Sequence, residues 1–217
     1  MEKAIFDWFP ANPKSSATRS EEGPEVTTIE DIRLVSDAKK GCAESFEALM
    51  SRHMGPAKHV AYGYVRNRDD ATDLAQEAFA RSYSALDRFR DGEPFAPWFY
   101  RILRNACLNF LDRRRRRRAL SIETSGFEGE RMEIADPKDL DPVRRAENHE
   151  SQSCFWELLD QLSPAHKDVI LLRHVEELEY QEIAEVLGIP VGTVMSSLYH
   201  ARRRLRGLLE PYVEGRA

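Results

Sequence analysis

The sequence predicts an all-α protein of two small helical domains joined by a flexible acidic linker. Three observations support this fold class. Apolar residues recur every three or four positions in the long segments, as they do on one face of a helix. Glycine and proline, 11 of each in 217 residues, are concentrated between those segments. No segment alternates apolar and polar residues as a half-buried strand does.

The composition narrows the class of protein further. The formal net charge is −5, 32% of the residues are charged and the mean hydropathy is −0.57. No stretch approaches the roughly 18 to 20 apolar residues that a membrane span needs, and the N-terminus does not resemble a secretory signal. The three widely spaced cysteines, Cys42, Cys107 and Cys154, predict a reduced cytoplasmic protein without a disulfide framework. Each is expected to pack as a small buried hydrophobe.

Residues 1–30 are polar, contain proline and serine, and lack a helical period, which predicts a disordered N-terminal extension. The aromatic residues Phe6, Trp8 and Phe9 are unusual for such a segment. Two interpretations stay open: a short docking motif, or contact with the folded body.

The first helical domain is predicted over residues 31–118. Its opening stretch, IEDIRLVSDAKKGCAESFEALMSRHMGPAKHVAYGYV, predicts two or three helices with breaks near Gly41 and Gly55–Pro56. The next helix, RDDATDLAQEAFARSYSALDRF, has an apolar face formed by Ala71, Ala75, Ala78, Phe79, Ser82 and Leu86.

Charge in this domain is sorted by helix face. Asp70, Asp73 and Glu77 recur at i, i+3 and i+7, opposite the apolar face of their helix. In the following helix, which contains Trp98, residues 101–118 hold eight arginines and one aspartate and end in six consecutive arginines. An acidic face and a basic face in one domain indicate two different partners.

The basic helix also carries groups suited to nucleic acid. Arg101, Asn105 and Asn109 recur at i, i+4 and i+8, and asparagine hydrogen-bonds base edges. Arginines and aromatic residues are interleaved over residues 88–101, a combination that suits single-stranded or locally opened nucleic acid. The competing interpretation is that most of these aromatic residues belong to the core, which we expect for Trp98 and Phe99.

Residues 119–150 are predicted to form an acidic linker, because they lack an apolar face and contain the steps Asp136–Pro137 and Asp141–Pro142. Nine acidic and four basic residues give this stretch a charge of −9 + 4 = −5. We expect the linker to compete with DNA phosphates for the basic surfaces of the same chain.

The second domain, residues 151–212, is predicted to contain a helix-turn-helix. A short helix with Ile183, Ala184 and Leu187 on its apolar face is followed by Gly188, which permits a left-handed turn. A longer helix follows, with apolar residues spaced 3, 4, 3, 4 and 3 apart: Val191, Val194, Leu198, Ala201, Leu205 and Leu208. This arrangement places a recognition helix in a major groove.

The predicted outward face of the recognition helix is polar and small near its N-terminus. It consists of Gly192, Thr193, Ser196, Tyr199, His200 and Arg203. Small polar residues allow close approach to base edges, while Arg202, Arg203, Arg204 and Arg206 can meet phosphates. The competing interpretation of this segment is a helical hairpin with a solvated basic end.

The segments DATDLAQEAFARSYSALDRF, PWFYRILRNACLNFLDRRRR and LDQLSPAHKDVILLRHVEELEYQEIAEVLGIPVGTVMSSLYHARRRL, in this order around an acidic linker, resemble the extracytoplasmic-function (ECF) sigma factors of bacterial RNA polymerase. The resemblance covers about residues 31–212. It implies a sigma-2 domain over 31–118, a sigma-4 domain over 151–212, and promoter recognition and melting as a polymerase subunit.

The resemblance also implies partners and contact residues. The β′ clamp helices of core RNA polymerase would meet Asp70, Asp73, Gln76 and Glu77, and the β flap is a further expected contact. The −10 element would meet Arg88, Phe89, Arg101, Arg104, Asn105, Asn109, Arg113, Arg115 and Arg116. The −35 element would meet Tyr180, Gly188, Val191, Gly192, Thr193, Ser196, Ser197, His200, Arg202 and Arg203. An anti-sigma protein is expected as a regulator, whereas no cofactor or metal is expected.

Two departures from the family pattern affect the expected −35 contacts. Glu179 occupies an N-cap position where serine or threonine is common, so we expect poor capping of the next helix. Met195 and Ser197 replace the basic residues of the common pattern VGTVKSRL, which moves the expected −35 readout onto Thr193, Ser196 and His200.

Two other classes of protein fit the sequence less well. A helix-turn-helix regulator that acts without polymerase would not account for the acidic face at Asp70, Asp73 and Glu77. An enzyme is disfavoured, because the sequence shows no nucleophile–base set, glycine-rich phosphate loop or metal-ligand spacing.

Overall fold

The computed structural model describes residues 24–121 and 154–214, with side chains over 29–119 and 154–210, and these parts belong to two compact helical units. Phe6, Trp8 and Phe9, and the linker beyond residue 121, lie outside the described residues. Every regular element in the described ranges is helical, which confirms the predicted fold class.

Over residues 24–121 the first unit has four α-helices and one 3-10 turn. They are α1 Pro24–Lys39, α2 Ala43–Val65, α3 Arg68–Ala85, the 3-10 turn Leu86–Arg88, and α4 Phe95–Ser121. Helix α1 therefore begins inside the segment predicted as an extension. Helix α4 includes all six arginines of residues 113–118, which we call the arginine run.

The predicted break at Gly55–Pro56 is wrong, because α2 runs through both residues. Proline removes one helical hydrogen bond and usually kinks a helix at a cost of about 3 kcal/mol. Here Pro56 is buried, and Ala57, Val60 and Ala61 beyond it are fully buried. Their packing outweighs the local preference, as tertiary contacts often do. The break predicted near Gly41 is confirmed: Gly41 has φ +97° and separates α1 from α2.

The core of the first unit contains the apolar face predicted for α3. All six predicted residues are buried: Ala71, Ala75, Ala78, Phe79, Ser82 and Leu86. Phe79 stacks on Phe99 of α4 with ring centroids 4.3 Å apart, and Phe95 stacks on Phe99 at 5.6 Å. Each such ring contributes about 1.5 to 3 kcal/mol by leaving water. This packing fixes α4 against α3.

The second unit has four helices within the described residues: α5 over 154–160, α6 Pro164–His174, α7 Tyr180–Leu187 and α8 Val191–Glu214. Gly188 has φ +66° and ends α7, where its N–H donates to the carbonyl of Ala184. Since α8 begins three residues later, this short turn fixes the orientation of α8 relative to α7. The predicted helix-turn-helix is present.

The buried stripe of α8 matches the prediction from residue 194 to residue 205 but not at either end, since Val191 is half-buried. Val194, Leu198, Ala201 and Leu205 are buried, but the next buried residue is Leu209, whereas Leu208 is half-buried. A spacing of 3, 4, 3, 4 averages 3.5 residues per turn, and a straight helix turns every 3.6. The stripe therefore shifts by about 20° per heptad.

The N-terminus of α7 is better capped than Glu179 alone predicts. The carboxylate of Glu182 accepts a hydrogen bond of 2.7 Å from the backbone N–H of Glu179, as in a capping box. Arg173 supports the same turn by donating to the carbonyl of Leu178 at 2.8 Å. The missing serine or threonine is thus offset by neighbours that lie three and six residues away.

No disulfide joins any of the three cysteines, all of which fall in the described residues. Cys107 is buried, and burial raises the pKa of its thiol to about 12, so the group stays protonated and packs as a hydrophobe. Cys42 and Cys154 are only half-buried, which is more exposed than expected. Over residues 24–121 and 154–214, no helix is both long and apolar enough to cross a membrane.

Candidate polymerase and nucleic-acid interfaces

Helix α3 brings the four predicted polymerase-binding residues together on its outer side. This acidic face comprises Asp70, Asp73, Gln76 and Glu77. Asp73 and Gln76 are exposed, whereas Asp70 and Glu77 are half-buried. Glu77 forms an ion pair with Arg81 one turn later, and Asp70 lies 3.9 Å from Arg114 of α4. Asp73 is therefore the most accessible carboxylate of the acidic face.

Helix α4 presents the predicted basic face. Arg101, Asn105 and Asn109 are exposed along one side, and Arg104 beside them is half-buried. The arginine run is exposed except for Arg114, which is half-buried beside Asp70. Like charges three or four positions apart destabilise a helix by about 0.2 to 0.5 kcal/mol per pair. The run therefore stays helical at an electrostatic cost, which an anionic partner would relieve.

Phe89 does not lie on the surface, although it was predicted to contact DNA. It is 5% exposed, with its ring 4.8 Å from Trp98 and 6.4 Å from Phe95. An aromatic ring that can pack against neighbouring rings is more stable when buried than when exposed to solvent. In this conformation Phe89 anchors the loop 89–94, while Arg88 is exposed beside it.

The loop 89–94 has a contact that sequence reasoning missed. Lys39, the last residue of α1, donates from Nζ to the carbonyl of Phe89 at 2.9 Å and pairs with Asp91. The two sides of this contact are 50 and 52 positions apart, so no local pattern could reveal it.

Helix α8 presents the predicted recognition surface of the second unit. Gly192, Thr193, Ser196, His200 and Arg203 are exposed, and so is Gly188 in the turn. Four other predicted residues are half-buried: Tyr180, Val191, Ser197 and Arg202. The hydroxyl of Ser196 donates to the carbonyl of Thr193 at 3.0 Å, which leaves its exposed oxygen available as an acceptor.

The half-buried residues of this site support the exposed ones. The guanidinium of Arg173 lies over the ring of Tyr180, 5.3 Å from its centroid, and fixes the start of α7. Burial, together with the nearby Arg202 and Arg173, lowers the pKa of His174 to about 3, so His174 is neutral at physiological pH. The positive charge of this region therefore comes from its arginines.

Two large side chains on α8 are exposed: Tyr199, as predicted for the outward face, and Met195, which was not predicted there. Met195 is 53% exposed and Tyr199 is 61% exposed; they lie one helical turn apart on the same face of α8, next to Ser196. Exposed apolar groups on a recognition helix suit the methyl group of thymine. Among the described residues, no group of three or more metal-binding side chains comes together.

A helix-turn-helix with a polar recognition helix, and a second helical unit with an arginine-rich helix, define a DNA-binding transcription protein. The sequence model of sigma-70 region 2 matches residues 49–117, and that of sigma-70 region 4 matches residues 152–205. The ECF RNA polymerase sigma-E factor of Escherichia coli (strain K12) is 32% identical over 191 residues, covering 85% of this chain and 97% of that protein. The RNA polymerase sigma-H factor of Pseudomonas aeruginosa is also 32% identical, with 86% and 97% covered.

Two solved structures share the fold. CnrH, in complex with the cytosolic domain of CnrY, has a TM-score of 0.63 at 24% identity and covers 84% of this chain and 98% of that one. The sigma factor RpoE of Bartonella quintana, in complex with the anti-sigma factor NepR, has a TM-score of 0.62 at 24% identity, with 77% and 98% covered. The chain belongs to the ECF RNA polymerase sigma factors, a family of regulatory polymerase subunits. A helix-turn-helix regulator that acts without polymerase is not favoured.

Proposed function

We propose that this sigma factor binds core RNA polymerase through the acidic face of α3 and promoter DNA through α4 and α8, acting in the cytoplasm. The observation that carries the proposal is the charge separation within the first unit. One helix presents carboxylates and the next presents an arginine run, so a single unit offers two charged surfaces of opposite sign. The proposed domain limits are 31–118 for polymerase and −10 binding and 151–212 for −35 binding, although α1 reaches back to Pro24 and α4 forward to Ser121.

The polymerase contact centres on Asp73. Asp70 and Glu77 already have cationic neighbours in the same chain, so a partner gains less from them than from an exposed carboxylate. A basic surface on the β′ clamp helices would form an ion pair with Asp73. It would also replace the present cationic partner of Glu77. The β flap is a second proposed contact on core polymerase.

The −10 contact runs along α4. Arg101, Asn105 and Asn109 lie on its exposed side, where amide groups can hydrogen-bond bases of an opened strand. The exposed arginines after residue 112 extend the same helix and act on phosphates, because a flexible guanidinium row carries charge and little positional information.

The −35 contact lies at the N-terminal half of α8. Ser196 faces the groove as an acceptor, since its proton is committed to the carbonyl of Thr193. An acceptor at this position favours an amino group of adenine or cytosine. Arg203, two turns further along, lies beyond the base-reading residues and is assigned to the backbone.

An anti-sigma protein is the proposed regulator. CnrH and RpoE have this fold and were solved with CnrY and with the anti-sigma factor NepR, respectively. A protein that occludes the acidic face of α3 would keep this factor from polymerase. A partner purified from the native host should then compete with core polymerase for the full-length chain.

The test of the proposed function is reconstitution. Full-length protein and core polymerase should form a complex that enriches defined −35 and −10 sequences from a promoter pool and opens them, as permanganate reactivity of unpaired thymines reports. Core polymerase alone is the control. Failure of the chain to bind core, or enrichment of a site without polymerase, would contradict the proposal.

A further inference from the structure

The loop 89–94 is held from outside by the C-terminus of α1. Lys39 Nζ lies 2.9 Å from the carbonyl oxygen of Phe89 and forms an ion pair with Asp91. The Lys39 side chain is only 20% exposed, whereas that of Asp91 is 79% exposed. The ammonium group therefore lies against the backbone of the loop instead of in solvent.

Helix α1 is also fixed nearer its N-terminus, so it can act as a rigid support. Asp31 is buried and hydrogen-bonds the Nε2 of His53 at 2.7 Å, and Arg52 lies 3.3 Å from the same carboxylate. The His53 ring packs 5.4 Å from Phe95, the first residue of α4. The attachments at Asp31 and Lys39 are about 12 Å apart along the helix.

The loop has little internal structure to hold its shape. Its backbone bonds are Phe89 N–H to Leu86 at 3.0 Å and Glu93 N–H to Arg90 at a long 3.4 Å. Gly92 adopts φ +85°, where glycine is unusually free. The Phe89 ring holds one side of the loop against Trp98, and Lys39 holds the carbonyl side.

Lys39 also changes the charge that the loop presents. The exposed residues Arg88 and Arg90 are flanked by the exposed acidic residues Asp87 and Asp91, and Glu93 follows in the loop. By pairing with Asp91, Lys39 screens a carboxylate that would otherwise repel a phosphate chain passing over the loop.

We propose that Lys39 is a positioning residue for −10 recognition: it fixes the backbone of the loop 89–94 and screens Asp91, so that the loop and the start of α4 meet an opened DNA strand in one conformation. The proposal rests on the proposed function and adds a residue that touches neither polymerase nor DNA.

Three variants of the full-length chain test it. Lys39→Met removes the ammonium and keeps an unbranched stem, Lys39→Arg keeps the charge and its donors, and Lys40→Met removes the adjacent lysine, which is 71% exposed and pairs with Asp37 three residues earlier. Each is combined with core polymerase and selected on a duplex pool that is randomised in both promoter elements. Core affinity is measured separately by fluorescence anisotropy.

The expected result is specific to the −10 element. Lys39→Met should broaden the −10 base profile and lower promoter opening by about three- to tenfold, with core affinity and the −35 profile unchanged. Lys39→Arg should restore the −10 profile, and Lys40→Met should match the parent.

Two results would overturn the inference while leaving the proposed function intact. The first is a −10 profile for Lys39→Met equal to that of the parent. The second is a loss of core affinity as large as the loss of promoter opening, which would make Lys39 a general fold contact. If the parent holoenzyme enriches no promoter sequence at all, the proposed function fails and the inference fails with it.

Discussion

The two helices proposed to contact DNA differ in how their N-termini are held. Helix α8 begins three residues after the left-handed Gly188, so its start is fixed by a turn within the same short motif. Helix α4 begins after the loop 89–94. In this loop the carbonyl of Phe89 accepts a hydrogen bond from Lys39, 50 positions earlier. The second unit thus fixes its site by local geometry, whereas the first depends on long-range packing.

The two helices also distribute charge differently. Residues 191–199 of α8 carry no charged side chain, and the arginines follow only from residue 202. In α4 the arginines begin among the residues proposed to read bases, at Arg101 and Arg104, and continue through the arginine run. We therefore expect the second unit to contribute mainly sequence choice, and the first to contribute affinity, polymerase contact and strand capture.

The largest effect is expected on the affinity for core polymerase, when charge is reversed in one unit or the other. Asp73→Lys with Glu77→Lys should weaken core binding by about 100-fold, because it places like charges against a basic partner. The matched control, Glu185→Lys with Glu210→Lys, makes the same charge change at exposed sites of the second unit. Anisotropy titration measures both, and circular dichroism checks that helicity is kept. Equal affinities for the two double variants would show that the acidic face is misassigned.

A smaller effect is expected from the arginine run. Arg115, Arg116 and Arg117 changed to glutamine should lower holoenzyme affinity about tenfold for right and wrong promoters alike. The slope of log affinity against log salt should flatten by about 0.9 for each phosphate that the substitutions release from the protein. Arg114 is left in place because it lies beside Asp70. An unchanged slope would mean that the run touches no DNA.

The expected effect on α8 is narrower. Ser196→Ala should cost about 1 kcal/mol at one or two base pairs of the −35 element and nothing elsewhere. Arg203→Ala should instead weaken all −35 sequences by a similar factor. Competition binding against single-base promoter variants distinguishes the two. A uniform loss for Ser196→Ala would place that residue on the backbone.

The smallest effect concerns the turn itself. Gly188→Ala should destabilise the second unit by about 1 kcal/mol, because alanine is strained at φ +66°. The new side chain meets nothing within 4 Å, so no steric clash adds to this cost. Gly207→Ala, within α8, should stabilise it by about 0.5 to 1 kcal/mol. Urea unfolding followed by Trp156 fluorescence, with Trp8 and Trp98 changed to phenylalanine, reports on this unit. Shifts of the same sign would contradict the assigned turn.

Much of the fold could be predicted from the sequence because its signals are local. The apolar face of α3 and the glycine turn before α8 depend on spacing and on one residue's backbone freedom. The continuity of α2 through Pro56 could not be predicted, since it depends on burial by other helices. The position of Phe89 could not be predicted for the same reason: its burial depends on Trp98 and Phe95, which only the folded loop brings over it.

The most direct test of the difference between the units is one promoter selection run in parallel on the parent holoenzyme, the Ser196→Ala variant and the triple glutamine variant of the arginine run. The pool is randomised at both promoter elements. We predict that Ser196→Ala changes the −35 base profile alone, and that the arginine variant keeps both profiles while recovering less DNA at every salt concentration. A changed −10 profile in the arginine variant, or an unchanged −35 profile for Ser196→Ala, would contradict this division between sequence choice and affinity.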